Sequence, residues 1–415
     1  MPNAPDRTVA PLAVPPPERS HLPEQWSPRE KSLAALFTSI LTRGPISRRD
    51  AARAIGMSQA AVTKLVKPMI AHGYVTEQEG YSEGPGRRLI PLVIDPRRHH
   101  AIGIKVTERE LIGVIVDLHA EIRQSSRVPL HDLRPAAVVG AMADLARDLE
   151  QRAPDVGGAN VGVGVGLGGH IDGRSGLVRY SPMLGWRDVP VRQLLADELD
   201  LPVVIENDVN SLALAEQWFG AGRDTASFAV VTVGSGVGGA IVVDGTLLHG
   251  VSGAAGELGH NIVDPAGPAC HCGKYGCVET YASDEAILSA IGSGRGGTPP
   301  KSLAQALALA QSGDEAARQA FARAGQALGQ GLSGLVNLFN PPLVVLSGEG
   351  ISASDMFMDA LGDELARGSF SSAAADCRLV VRPLPDETWA RGAAAAMLRQ
   401  GVLRYLMALT SEIPL

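Results

Sequence analysis

The stretch Cys270-His271-Cys272-Gly273-Lys274-Tyr275-Gly276-Cys277 constrains this chain more than any other. It holds three of the four cysteines, the fourth being the distant Cys377. Cysteines this close together suit a metal better than a disulfide framework. With the imidazole of His260, in Glu257-Leu258-Gly259-His260 just upstream, the three thiolates complete a tetrahedral zinc set with no open position. A closed set is structural rather than catalytic, so zinc is expected as a structural cofactor held by His260, Cys270, Cys272 and Cys277. Gly273 and Gly276 give the loop its tight turns. His271 competes with His260 as fourth ligand and ranks below it, and three unrelated buried thiols are the plain alternative.

A chain of 415 residues exceeds one ordinary core, which implies two or three folded units. Hydrophobic residues make up 45%, enough for large cores, and many glycines with few aromatics fit an α/β protein rich in tight turns. Apolar runs stop short of the ~18 residues a membrane span needs. The first residues lack the basic-then-apolar order of a secretory signal, so a cytoplasmic address without a membrane partner is expected. Charge is unevenly spread. Residues 29–94 carry ten basic and five acidic residues, a net +5, which leaves −12 on the rest of a chain whose total is −7. A small basic unit joined to a large acidic one suits a DNA reader with a separate sensor.

Residues 1–28 are proline-rich, without apolar period, and read as a disordered tail. Leu33, Leu36, Phe37, Ile40 and Leu41 recur at helical spacing over 29–43, and Gly44-Pro45 stops that helix. A short helix follows over 48–55, closed by Gly56, and Ser58 caps a third from Gln59 onward. Strands at 74–76 and 89–94 flank a turn, so residues 29–95 are expected to form a winged helix-turn-helix with a two-stranded hairpin. Pro68 falls inside the third helix and is expected to kink it. From residue 96 strands alternate with helices, which implies α/β architecture through 415. The hairpin at 102–117 is echoed at 228–243, which suggests two related lobes, and a closing helix is expected over 389–409.

A recognition helix lays its first residues on base edges in the major groove. Ser58, Gln59, Ala60, Thr63 and Lys64 occupy that place: Gln pairs with adenine, and Ala and Thr contact a thymine methyl. Arg48, Arg49 and Lys67 suit phosphates, which position without specifying sequence. Arg87 and Arg88 ride on the wing, where arginines enter an A·T-rich minor groove. The bland alternative is a set of solvated charges on a small helical unit.

The block Glu257-x-Gly259-His260 with Cys270-x-Cys272-Gly273-x-x-Gly276-Cys277-x-Glu279 resembles the signature of the ROK family (repressors, open reading frames and kinases). Leu184-Gly185-Trp186, Asn207-Asp208, the loop from Gly234 to Gly239, Asn340-Pro341-Pro342 and Gly348-Glu349-Gly350 match as well. The resemblance covers nearly the whole chain from about residue 30. It implies an actin-like, two-lobed, sugar-kinase-type domain over 96–415, behind the winged helix-turn-helix. It also implies that Asn207, Asp208, Glu257, His260 and Glu279 bind the hydroxyls of a sugar or sugar phosphate, with His260 shared between zinc and sugar. A homodimer or homotetramer follows by the same resemblance; a dimer reads a palindromic operator with half-sites about one or two helical turns apart. Carboxylates accept from paired sugar hydroxyls, so the chemistry also holds without the family.

The family's kinases carry Asp-x-Gly-x-Thr in the first hairpin, where the chain has Lys105-Val106-Thr107-Glu108-Arg109. Lysine replaces the aspartate of the Mg²⁺ site and threonine the glycine, and Glu108 and Glu110 stand where a polyphosphate approaches. Phosphoryl transfer depends on phosphate positioning and metal charge, so a non-enzymatic, sugar-responsive repressor of carbohydrate genes is expected. A sugar kinase with an attached DNA module is the alternative; a sensor switched by a protein partner is weaker. Gly164-x-Gly166-x-x-Gly169 and Gly234-x-Gly236-x-x-Gly239 fit a dinucleotide pattern formally, but neither is expected to open a helix.

Overall fold

Ser27 caps the first helix of the computed structural model, which describes residues 27–80, 89–153 and 156–410. The greater part of the expected tail and both wing arginines, Arg87 and Arg88, lie outside those residues. In α1 (Pro28–Arg43) the Ser27 hydroxyl accepts from the Glu30 N–H, and the Glu30 carboxylate accepts from the Ser27 N–H. Leu33, Leu36, Phe37 and Ile40 form its buried face. Ser47 and Ser58 cap α2 (Arg48–Ala54) and α3 (Gln59–Ala71) in turn. Val62, Leu65, Val66 and Met69 turn α3 into the core. The helix runs through Pro68 to Ala71 without interruption. The carbonyl that Pro68 leaves without a donor is that of the exposed Lys64, where water can serve.

The hairpin of β2 (Val75–Glu77) and β3 (Pro91–Ile94) is joined by a strand not expected from sequence, β1 (Ile46–Ser47). It pairs antiparallel with Pro91 and Leu92, giving the sheet order β1-β3-β2. Two residues carry too little pattern to read as a strand; Ile46 is held by burial against α1 rather than by propensity.

The remainder builds one strand order twice. The first sheet contains β4 (His99–Val106), β5 (Glu110–Asp117), β6 (Ile122–Pro129), β7 (Ala159–Leu167) and β11 (Val203–Asn207), in the order β11-β7-β4-β5-β6. Helix α4 (Pro135–Gln151) links β6 to β7. Between β7 and β11 lie β8 (His170–Asp172), β9 (Leu177–Ser181), β10 (Trp186–Val189) and α5 (Val191–Leu199). After α6 (Asp208–Phe219) comes the second sheet: β12 (Phe228–Val233), β13 (Val237–Val243), β14 (Thr246–Leu247), β15 (Leu343–Ser347) and β16 (Arg378–Val381), in the order β14-β13-β12-β15-β16. In both, three antiparallel strands meander and two more add in parallel beside the first. The two lobes therefore share a topology, as the repeated hairpin suggested. The helices α7 (Glu279–Ala282), α8 (Asp284–Gly294), α9 (Leu303–Gln311), α10 (Glu315–Phe339), α11 (Met358–Gly368) and α12 (Ala373–Asp376) belong to the second lobe.

The last helix, α13 (Glu387–Thr410), returns to the first sheet and lies directly on β4 and β7. Small residues permit the close approach. A Cβ on Gly103 would sit 1.9 Å from the Ala390 carbonyl oxygen, and one on Gly164 would sit 1.9 Å from that of Ala393. Farther along α13, Leu398, Val402 and Leu406 share one apolar core with Leu33, Leu36 and Phe37 of α1.

Gly103→Ala and Gly164→Ala are each expected to lower the unfolding free energy by about 2 kcal/mol or more, because the added carbon meets backbone that cannot yield. Gly140→Ala, on α4 with open space around it, is expected to be neutral or to gain up to ~1 kcal/mol. Urea midpoints that fail to separate the two classes contradict this packing.

Candidate metal centre and ligand cleft

Asn207 and Asp208 stand where β11 hands over to α6. Asn207 is the helix cap: its Oδ1 accepts from the N–H groups of Val209 (2.9 Å) and Asn210 (3.1 Å), and its Nδ2 donates to the Gly169 carbonyl (3.1 Å). Asp208 is the first helical residue, and its Oδ1 accepts from the Val209 N–H at 2.9 Å. Burial pushes its carboxyl above the usual range, against the nearby Lys105. Beneath them, the buried Glu206 accepts from the Asn207 N–H (2.9 Å), Asn210 Nδ2 (3.0 Å) and His249 Nε2 (2.7 Å).

Asn207, Gly238, Gly239 and Glu257 line one small cavity between the lobes. Burial raises the Glu257 carboxyl, with Asp208 and Glu279 close enough to add to the effect. Glu279 begins α7, and its Oε2 accepts from the Val237 N–H at 3.0 Å. Of the five residues assigned to the sugar, Asn207 and Glu257 line the cavity, Asp208 and Glu279 stand near enough to Glu257 to act on its carboxyl, and His260 belongs to the metal knuckle.

In that knuckle the donor atoms of His260, Cys270, Cys272 and Cys277 all lie within 4.8 Å of one another. Tetrahedral zinc with bonds of about 2.3 Å to sulfur and 2.0 Å to nitrogen sets sulfurs about 3.8 Å apart, and sulfur and nitrogen about 3.5 Å apart. Cys272 Sγ and Cys277 Sγ are 3.7 Å apart, and Cys270 Sγ and His260 Nδ1 are 3.5 Å apart. The donors therefore fit zinc in spacing as well as type. Burial and the neighbouring thiols push the Cys277 thiol up to about 12, so its thiolate form needs a cation beside it, as metal binding supplies. His271 is turned elsewhere: its Nε2 meets Glu279 Oε1 at 2.8 Å and its ring stands edge-on to His260, although it also closes a second donor set with His260, Cys270 and Glu279.

Lys105 is buried on β4 at the other side of the cleft. Its Nζ lies 3.1 Å from Glu349 Oε1 in the opposite lobe, 4.0 Å from Asp386 Oδ1, and 4.5 Å from the centre of the Trp389 ring. Arg127 adds pairs to Glu110 (2.9 Å), Asp386 (3.3 Å) and Glu387 (2.8 Å). Sequence alone exposed Lys105 as a replacement but not its partners, which lie more than 240 residues away and whose only signal is a carboxylate inside Gly348-Glu349-Gly350.

On the winged unit, Gln59, Ala60, Lys64 and Lys67 are exposed, while Thr63 is half-buried with its hydroxyl donating to the Gln59 carbonyl at 2.8 Å. The Ser58 hydroxyl accepts from the Ala61 N–H at 3.2 Å as the α3 cap. Arg48 is half-buried and paired with Glu77, and the exposed Arg49 lies 3.5 Å from Asp50.

Residues 101–400 match the profile of the ROK family. The chain belongs to the ROK family. The xylose repressor of Bacillus subtilis is 30% identical over 339 residues, 81% of this chain and 86% of that protein. The DNA-binding transcriptional dual regulator NagC of Escherichia coli is 29% identical, over 80% and 84% respectively. Among solved structures, a ROK family glucokinase from Streptomyces griseus, in complex with glucose and AMPPNP, aligns at a TM-score of 0.61 and 27% identity, covering 73% of this chain and 100% of its own. A ROK transcriptional regulator described as a homologue of the Escherichia coli MLC protein shares the fold over 93% of this chain and 99% of its own, with a TM-score of 0.79 and 24% identity. The two lobes are thus of the ROK sugar-kinase type with an actin-like fold, and among the described residues no helix is long and apolar enough to cross a membrane.

In this ROK protein the Glu206–His249 bond holds the Asn207-Asp208 corner, and it raises the His249 pKa above 6.5. A raised histidine stabilises fully below its unfolded value and loses that contribution as pH climbs through the folded one. The melting-temperature advantage of wild type over His249→Gln is therefore expected to shrink as pH rises from about 6 to about 8.5. An advantage that holds or grows across that range contradicts the bond.

Proposed function

We propose that this ROK protein is a sugar-responsive transcriptional repressor whose effector binds between the lobes. The observation that carries the reading is the pairing of an exposed face on α3 with a sugar-kinase fold in which a lysine–glutamate pair replaces the kinase signature. Lys105 bridges to Glu349 where the kinase reaction needs a phosphate and its Mg²⁺. Gln59, Ala60, Thr63 and Lys64, with Ser58 at the helix start, enter the major groove. Lys67, Arg48, Arg49 and the wing residues Arg87 and Arg88 approach the backbone and an A·T-rich minor groove. For Arg48 this entails exchanging Glu77 for a phosphate. A homodimer or homotetramer places two such heads on a palindromic operator.

Asn207, Asp208, Glu257, His260 and Glu279 take the sugar hydroxyls. Zinc, held by His260, Cys270, Cys272 and Cys277, fixes the loop between Glu257 and Glu279, so both carboxylates are in place before the ligand arrives. Its role is structural, and the protein acts in the cytoplasm, where operator and sugar meet.

Cys272→Ser is expected to lose stoichiometric zinc and several degrees of melting temperature together. Wild-type protein that contains no zinc by elemental analysis contradicts the centre. For the DNA contact, operator fragments selected by the full chain from a random pool are titrated with the variants. Lys64→Ala is expected to weaken binding by about 1–3 kcal/mol and to relax sequence preference at one position.

The effector reading is tested by the same titration with and without sugar. Glu257→Ala is expected to keep operator affinity and lose the response. Sugar phosphorylation under Mg-ATP at about 1–100 per second, with operator affinity unmoved by that sugar, overturns the repressor in favour of the kinase.

A further inference from the structure

We infer that the Lys105–Glu349 pair is a charge filter that opens the cleft to uncharged sugars and closes it to their phosphate esters. The inference rests on the sugar-cleft reading above and names the class of effector that cleft accepts.

Phosphate is bound by clusters of free backbone N–H groups at glycine turns, assisted by a cation. Two glycine turns of the second lobe hold the chain's own carboxylates against them. A Cβ on Gly234 would lie 2.4 Å from Glu349 Oε2, and one on Gly236 would lie 2.8 Å from Glu279 Oε2, which already accepts from the Val237 N–H. At the second turn a Cβ on Gly350 would lie 3.2 Å from Asp284 Oδ1, a buried atom without a hydrogen-bond partner among the described residues. Lys105, the cation facing this group, is committed to Glu349, Asp386 and the Trp389 ring.

The site is also crowded with carboxyl groups, and further negative charge is disfavoured there. Burial pushes up the carboxyls of Asp208, Glu257 and Asp284, and each is raised further by a neighbouring carboxylate: Glu349 beside Asp208 and Asp284, and Asp208 and Glu279 beside Glu257. A phosphate dianion on the sugar would enter this field as another like charge. Hydroxyls meet it as donors to carboxylates and add no charge. Removing the Glu349 charge shifts the balance, because the Lys105 ammonium loses its 3.1 Å partner and a carboxylate charge leaves the Gly234 turn.

The test uses the full-length, zinc-loaded chain in thermal-shift and calorimetric titrations. Probes are xylose, glucose and N-acetylglucosamine, glucose 6-phosphate and N-acetylglucosamine 6-phosphate, and inorganic phosphate alone. Wild type is expected to bind at least one neutral sugar, to bind the phosphate ester at least tenfold more weakly than its parent, and to ignore inorganic phosphate. Glu349→Gln is expected to gain at least tenfold in affinity for inorganic phosphate, and Lys105→Met added to it to lose that gain. A wild type that binds an ester as tightly as its parent sugar, or a folded Glu349→Gln that gains no phosphate affinity, overturns the filter. Phosphate gain in Glu349→Gln with no sugar bound by wild type upholds the filter and instead removes the sugar reading. Should Glu349→Gln fail to fold, the wild-type comparison of ester with parent decides alone.

Discussion

Gly103 and Gly164 let α13 lie against the first sheet with backbone in contact with backbone, and the placement of the other parts follows from that contact. The same helix touches α6 closely: a Cβ on Gly392 would lie 2.3 Å from the Ser211 carbonyl oxygen. Its later turns share an apolar core with α1. One helix thus fixes the first sheet, the helix that carries Asp208 and the helix that opens the DNA-binding unit. Side chains at those glycines would separate all three, since close-packed interiors transmit a displacement rather than absorb it.

The junction between the winged unit and the first lobe has a second tie. Burial holds His99 below the usual histidine range, so its ring is neutral. A neutral ring whose Nδ1 donates to the Ala159 carbonyl (3.2 Å) accepts at Nε2 from the Tyr74 hydroxyl (3.0 Å). Tyr74 in turn packs edge-on against Phe37 of α1. The helix α6 and the winged unit are thus both tied to the first lobe, through α13 and through the Tyr74–His99 contact. Toward the second lobe, Glu216 of α6 meets Arg382 at 3.2 Å.

What sequence made legible was local. Apolar period made α1 legible, because burial of one face is written every three or four residues, and a serine cap marked the start of α3. The knuckle was legible because its ligands are adjacent in the chain and their spacing is the chemistry. The strand β1 was not, since two residues hold no period. Nor was the Lys105–Glu349 contact, because a pair separated by more than 240 residues leaves no mark at either end beyond an unusual residue. Asn207 and Asp208 fell between these cases: their importance was visible, but which of them capped α6 depended on a single φ/ψ transition. The roles of the sugar-facing carboxylates came from resemblance to the family, not from pattern.

A sugar-kinase cleft must do two opposed things: accept hydroxyls through carboxylates, and hold a polyanion a few ångströms away. Kinases reconcile them with Mg²⁺ and open glycine turns, which neutralise one side of the cleft. Here the sugar side keeps its carboxylates, while Glu349, Glu279 and Asp284 occupy the turns and Lys105 compensates part of their charge. The compensation comes from the opposite lobe, so the ion pair also ties the lobes across the cleft. A kinase must release its lobes each turnover to discharge nucleotide, whereas a sensor needs them to respond only to what it senses. On the sensor reading proposed above, a tethered lysine and glutamate in place of a diffusible phosphate and metal would remove one ligand from the equilibrium and leave the position of the lobes to the sugar.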